Sequence, residues 1–189
     1  GFVALAITVR FAFPAVSLEG RALWLVRAAP VTARELVEAK ARGWRLPLAG
    51  FAAALSALTQ LFLGADPLLV VVATLVAGWL GWCLVSVAVG LGARFPRFDL
   101  ANPVEVATGL GGLSFMLVGM ALLVVVVLAS VPPTLALVAL LHRGTVPSAP
   151  WLAAGVVGAA VAGLAPVLAG RAAIAAGARF LEEGEPDEA

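Results

Sequence analysis

The chain has 189 residues, of which 62% are hydrophobic and 12% charged, with a formal net charge of +1, and its mean hydropathy is +1.08. A water-soluble domain of this size has no use for so much apolar side chain, and the unbroken apolar runs exclude a membrane β-barrel, which would alternate apolar and polar residues in ~10-residue strands. The expected fold class is all-α, a polytopic helical membrane protein.

Residues 1–13 hold GFVALAITV, too short to cross alone, since a span needs ~20 apolar residues. The basic segment that opens a secretory signal is missing before it. The stretch reads as the end of a truncated span, and the chain as a C-terminal fragment. From Arg10 to Arg45 seven Lys/Arg stand against three Glu, the densest basic stretch of the sequence. Residues 14–45 therefore read as a surface loop holding two short helices. In the first, Ser17 is the N-cap, with Glu19 in the first turn and Arg27 near the last, each complementing the helix dipole; Pro30 ends it. In the second, Thr32 and Glu35 form a capping box opening a helix to about Arg42.

The bundle is expected over residues 46–170. Pro47 to Leu63 is the first full span. A tight turn follows, with Asp66 as N-cap and Pro67 at the first helical position, and Leu68 to Ala93 is the second span. Asn102, Pro103 and Glu105 open a third, from Val106 to about Ala129. Pro132-Pro133 predicts a break, and TLALVALL is too short to cross, so residues 131–149 read as a re-entrant or surface-lying segment. Pro150 and Trp151 open the last span, which runs to about Gly170. Residues 171–189 read as a polar tail with a frayed acidic end. Of the twelve Lys/Arg, seven lie in 10–45, two in 94–97, two in 171–179 and one in 131–149. That bias places 10–45, 94–105 and 171–189 on the cytoplasmic side.

No span carries an Asp, Glu, Lys, Arg or His in its interior, which counts against a proton- or ion-coupled carrier. A single Cys83 and a single His142 leave no zinc site, and His142, Asp66 and Asp99 are too scattered for an intramembrane protease. No P-loop string GxxxxGK[ST] occurs, so ATP hydrolysis is expected on another chain, with no cofactor or metal bound here. Trp79 and Trp82 sit three apart and deep within a span. They line a path for an amphipathic substrate, or pack against lipid or a neighbouring helix. Ser56, Thr59 and Gln60 read as helix–helix glue, and Gly155, Ala159 and Gly163 as a small-residue packing face.

The run SLEGRALWLVRAAPVTARELVEAK, Ser17 to Lys40, resembles the cytoplasmic loop of type-2 ABC exporter permeases. Together with GARFPRFDLANPVEVATGLGGL it is similar to a branch of bacterial ABC exporter membrane subunits. Ala29-Pro30 and Ala39-Lys40 stand where that family has Ser-Pro and Gly-Lys. The resemblance implies that Glu19, Gly20, Arg21, Trp24, Arg27 and Pro30 form the segment that couples to an ATPase, and that Lys40 precedes the next span. It implies a permease in a bacterial cytoplasmic membrane, working by alternating access. The implied partners are an ABC ATPase subunit carrying ATP and Mg, membrane lipids, and a second permease half or copy, with no nucleic acid. A scaffold or assembly subunit using the same loop for docking is the alternative. On the residues alone, 14–45 is equally a surface anchor with Trp24 and Trp44 in the headgroups.

Overall fold

The computed structural model describes residues 2–18, 30–96, 108–144 and 148–183, and all regular structure among them is helical. Helix α1 (Phe2–Phe11) leads into a 3-10 turn (Phe13–Ala15), followed by α2 (Ala33–Phe62), α3 (Pro67–Arg94), α4 (Leu110–Arg143) and α5 (Ala149–Glu183). Helices α2 to α5 are each long and apolar enough to cross a membrane. The protein is an all-α, polytopic helical membrane protein.

Helix α2 starts on the predicted capping box. Thr32 Oγ1 accepts from Glu35 N at 3.2 Å, and the Glu35 carboxylate accepts from Thr32 N at 2.9 Å. The helix does not stop near Arg42. It continues through Pro47 to Phe62, merging the predicted short helix and first span into one 30-residue element. One continuous face explains this: Val37, Ala41, Leu48 and Ala52 are all buried, at spacings that return to the same side of a helix. The ring of Pro47 withholds a donor from the carbonyl four residues back, at Gly43. Gly43 has open space around it, so the helix can absorb the distortion. Asp66 caps α3 as expected, accepting from Leu68 N at 2.8 Å, after Gly64 turns the chain with φ 64°.

Helix α3 is the axis of the bundle, packing against α1, α2, α4, α5 and the 3-10 turn. Its burial is lopsided. No residue from Pro67 to Trp79 is buried, whereas Leu80 to Ala93 is almost wholly so, with an unbroken run from Cys83 to Gly90. A helix buried on all sides needs small residues where its neighbours cross. A Cβ on Gly90 would fall on the Ala173 backbone, one on Gly177 on the Gly90 carbonyl oxygen, and one on Gly92 on the Phe13 carbonyl oxygen.

That last contact corrects the reading of residues 14–17 as surface loop. Ala12 to Ser17 are all buried, and Phe13 lies 6.3 Å from Phe115 between ring centroids. The segment plugs the end of the bundle because four of its six residues are apolar and one more is proline.

Two further boundaries differ from expectation. Helix α4 runs unbroken to Arg143 through Pro132-Pro133, so the helical break predicted for a re-entrant or surface segment at 131–149 is not there. The prolines withhold donors from the Leu128 and Ala129 carbonyls, whereas the flanking hydroxyls bond other carbonyls, Ser130 to Val126 at 2.6 Å and Thr134 to Ser130 at 2.7 Å. Gly158 packs directly on the Ala129 carbonyl and the Pro133 ring. Apolar helices tolerate proline where a neighbouring helix covers the freed carbonyl. Helix α5 likewise continues past Gly170 to Glu183, because Ala173, Ile174, Gly177 and Ala178 are buried against the bundle. Its packing face runs through Gly155 and Gly158 rather than Gly155, Ala159 and Gly163: Ala159 is exposed and nothing approaches Gly163 where a Cβ would stand.

Candidate functional site

Where α3 crosses α2 and α5, at the start of its buried half, the three helices enclose a pocket of about 220 Å³. Its polar centre is Arg45 of α2. The guanidinium donates from Nε and Nη2 to Ser86 Oγ at 3.1 and 2.9 Å, and its Cζ stands 5.7 Å from the centroid of the Trp82 ring. Ser86 is 6% exposed, and Gly170 of α5 lies opposite it, leaving room for the hydroxyl. Arg171, the next residue of α5, also lines the pocket.

A guanidinium carries five N–H donors, and two of Arg45's are used on Ser86. Among the described residues the one salt bridge is Arg34–Glu38 on the surface of α2. Arg45 and Arg171 therefore bring two positive charges to one pocket without a carboxylate between them. The aromatic face of Trp82 offsets part of that charge for Arg45.

Trp79 forms the wall between this pocket and a second cavity. Its indole Nε1 donates to the Gly163 carbonyl at 3.2 Å, one turn before Pro166, whose missing N–H weakens the helical ladder at that level. On the far side of Trp79 lies an apolar cavity of about 440 Å³ between α3, α4 and α5, lined by Val76, Pro133 and Ala162 among others. Across the same α3–α4 seam, sharing Val72, Val76, Ser130 and Thr134, lies a larger cavity of about 630 Å³. It is walled chiefly by valine and leucine, with Ser56 and Gln60 at its α2 edge. Ser56 there ties α2 to α3 through the Ala73 carbonyl at 3.2 Å, whereas Thr59 bonds only within its own helix.

Trp79 and Trp82 are thus brought together around one pocket, each part-exposed, at 45% and 40%. Glu19, Gly20, Arg21, Trp24 and Arg27 lie outside the described residues, and Pro30 is an exposed bend two residues before the α2 cap. Lys40 lies within α2. Sequence reasoning missed Arg45, Ser86 and Arg171. Both arginines were counted as loop charges, and Ser86 was not singled out. A usable signal was present: Trp82 and Ser86 are four apart on one helix face, and each arginine is the basic residue bordering an apolar run.

A family model described as "Putative ATP-binding cassette" matches residues 1–176. No curated protein and no solved structure matches the chain. The family match overturns the resemblance to exporter permeases, which rested on two loops whose centres, 19–29 and 97–107, lie outside the described residues. The matching family is that of the cassette, not of a permease, and it spans the helices as well as the loops. It overturns with it the permease-only role, gives no support to a scaffold in its place, and overturns the expectation that ATP chemistry is foreign to this chain, since a cassette is an ATPase. The absent P-loop string tested one motif and not the family.

Proposed function

The chain belongs to the ATP-binding cassette family whose model spans residues 1–176, and from that membership we propose that it is a membrane-embedded component of an ABC transporter that holds an amphipathic ligand within its helices. The observation that carries this reading is the shared border at Trp79, which lines both a two-arginine pocket and an apolar cavity of about 440 Å³. Ligand sites are concave, mostly apolar, and carry a few placed polar groups. This arrangement has that character.

ATP with magnesium is the energy source of the assembled transporter. The segment from Glu19 to Pro30 couples ATP use to the helices, and Trp79 and Trp82 line the ligand path. The protein resides in a bacterial cytoplasmic membrane, with the Arg45–Arg171 end toward the cytoplasm, as the loop charges favour. ATP acts on the ligand only if the nucleotide-bound and free states hold the cavity differently, because a partner that binds both states equally shifts nothing.

The experiment is ATP hydrolysis by the full-length protein in lipid nanodiscs, titrated with a single-chain amphiphile such as a lysophospholipid. Stimulation or inhibition that saturates, and that Trp79→Ala weakens, is the expected result. Hydrolysis indifferent to the amphiphile at every concentration would overturn the reading.

A further inference from the structure

We propose that the pocket of Arg45, Ser86 and Arg171 is a head-group site for a phosphate-bearing amphiphile, whose tail lies past Trp79 in the apolar cavity between α3, α4 and α5. The inference deepens the reading of that cavity as a ligand site and rests on it.

Four observations on the page converge. The pocket draws positive charge from two helices, Arg45 on α2 and Arg171 on α5, and no described carboxylate pairs with either. Arg45 is held in place from two sides, by Ser86 Oγ and by the Trp82 ring, so its remaining donors are pre-aimed rather than free to swing. Preset guanidinium forks suit phosphate oxygens, which accept parallel N–H bonds. The pocket, at about 220 Å³, suits a compact head group, whereas the neighbouring cavity of about 440 Å³ is walled by Val72, Leu75, Val76 and Leu137, which suit an alkyl chain. Trp79 borders both.

The order of the two compartments excludes other ligand classes. A soluble anion would leave the apolar cavity unfilled. A neutral or cationic amphiphile would leave both guanidiniums without a counter-charge. A phosphate with an apolar tail satisfies both compartments at once.

The test uses the full-length protein in nanodiscs containing phosphatidylglycerol that carries a photoreactive diazirine on one acyl chain, with labelled peptides mapped by mass spectrometry. Labelling is expected at the groove side of α3 near Leu75 and Val76 or of α5 near Ala162. Excess unlabelled phosphatidylglycerol should compete, while equal excess of phosphatidylcholine or inorganic phosphate should not. Arg171→Gln, on an exposed side chain, should weaken labelling by about tenfold, the scale of a lost charge-assisted hydrogen bond. Arg45→Gln should do the same, with circular dichroism confirming that the helices remain. Equal competition by phosphatidylcholine would overturn the head-group assignment while leaving the cavity as a ligand site. Competition by inorganic phosphate alone would make the pocket a free-anion site and overturn the amphiphile. Labelling absent from the groove would overturn both this proposal and the ligand-site reading beneath it.

Discussion

Gly90 and Gly177 face each other across the α3–α5 crossing so closely that a Cβ on Gly177 would fall on the Gly90 carbonyl oxygen. Only backbone fits there, and dispersion over that contact substitutes for a hydrophobic drive that lipid does not supply. Gly177→Leu must push the helices apart, so a loss of about 1–3 kcal/mol is expected from overpacking alone. Gly163→Ala is the matched control, because an added Cβ there would meet no neighbouring atom, and its stability should change by less than about 0.5 kcal/mol. Unfolding midpoints in detergent, compared for the two variants, check the assignment.

Ser86→Ala removes the oxygen that accepts both Arg45 donors. With the guanidinium left without that partner, a loss of about 1–3 kcal/mol is expected in the same unfolding assay. Ser86→Thr, which keeps an acceptor, should recover part of it.

The indole of Trp79 is a tie between α3 and α5 as well as a cavity wall. Trp79→Phe keeps most of the ring and deletes the N–H to Gly163, so stability should fall by only about 0.5–1.5 kcal/mol. Trp82→Leu instead removes the cation–π contact to Arg45, at about 0.5–1 kcal/mol. Trp79→Phe should therefore speed amide exchange around Gly163 and leave Ser86 unchanged, and Trp82→Leu should not affect Gly163.

Thr32→Ala removes the hydroxyl that accepts from Glu35 N, while the backbone N–H of residue 32 can still donate to the Glu35 carboxylate. The first turn of α2 should lose about 0.5–2 kcal/mol of local stability. Hydrogen exchange should rise at residues 33–36 and not beyond Val37, where burial takes over.

Two helix starts were legible because they are local chemistry: Thr32 with Glu35, and Asp66 before Pro67, each occur in the structure as the sequence predicts, whereas α4 begins at Leu110, after Gly109 and with no side-chain cap, later than the sequence predicts. The ends were not. Pro47, Pro132-Pro133 and Pro166 all sit inside helices, because tertiary packing compensates for donors that an isolated helix would miss. The tail after Gly170 misled because its charges, from Arg171 onward, read as a polar end, whereas Ala173, Ile174, Gly177 and Ala178 form a packing surface against the bundle. Of the site, Trp79 and Trp82 could be singled out by their depth in a span. Arg45 and Arg171 lie about 126 residues apart in sequence, and only the bundle's topology brings them to one pocket.

The lopsided burial of α3 makes the bundle a set of levers pinned at one end. From the glycine crossing at Gly90 to the start of α3 at Pro67 the axis is roughly 35 Å long at the α-helical rise. A rotation of about 10° at the pin would carry the free tip about 6 Å, enough to open or close a cavity the width of an acyl chain. The pin is made of backbone contacts that cannot slide by fractions of an ångström without a clash, so such movement is expected as a switch between discrete arrangements and not as a gradual flexing.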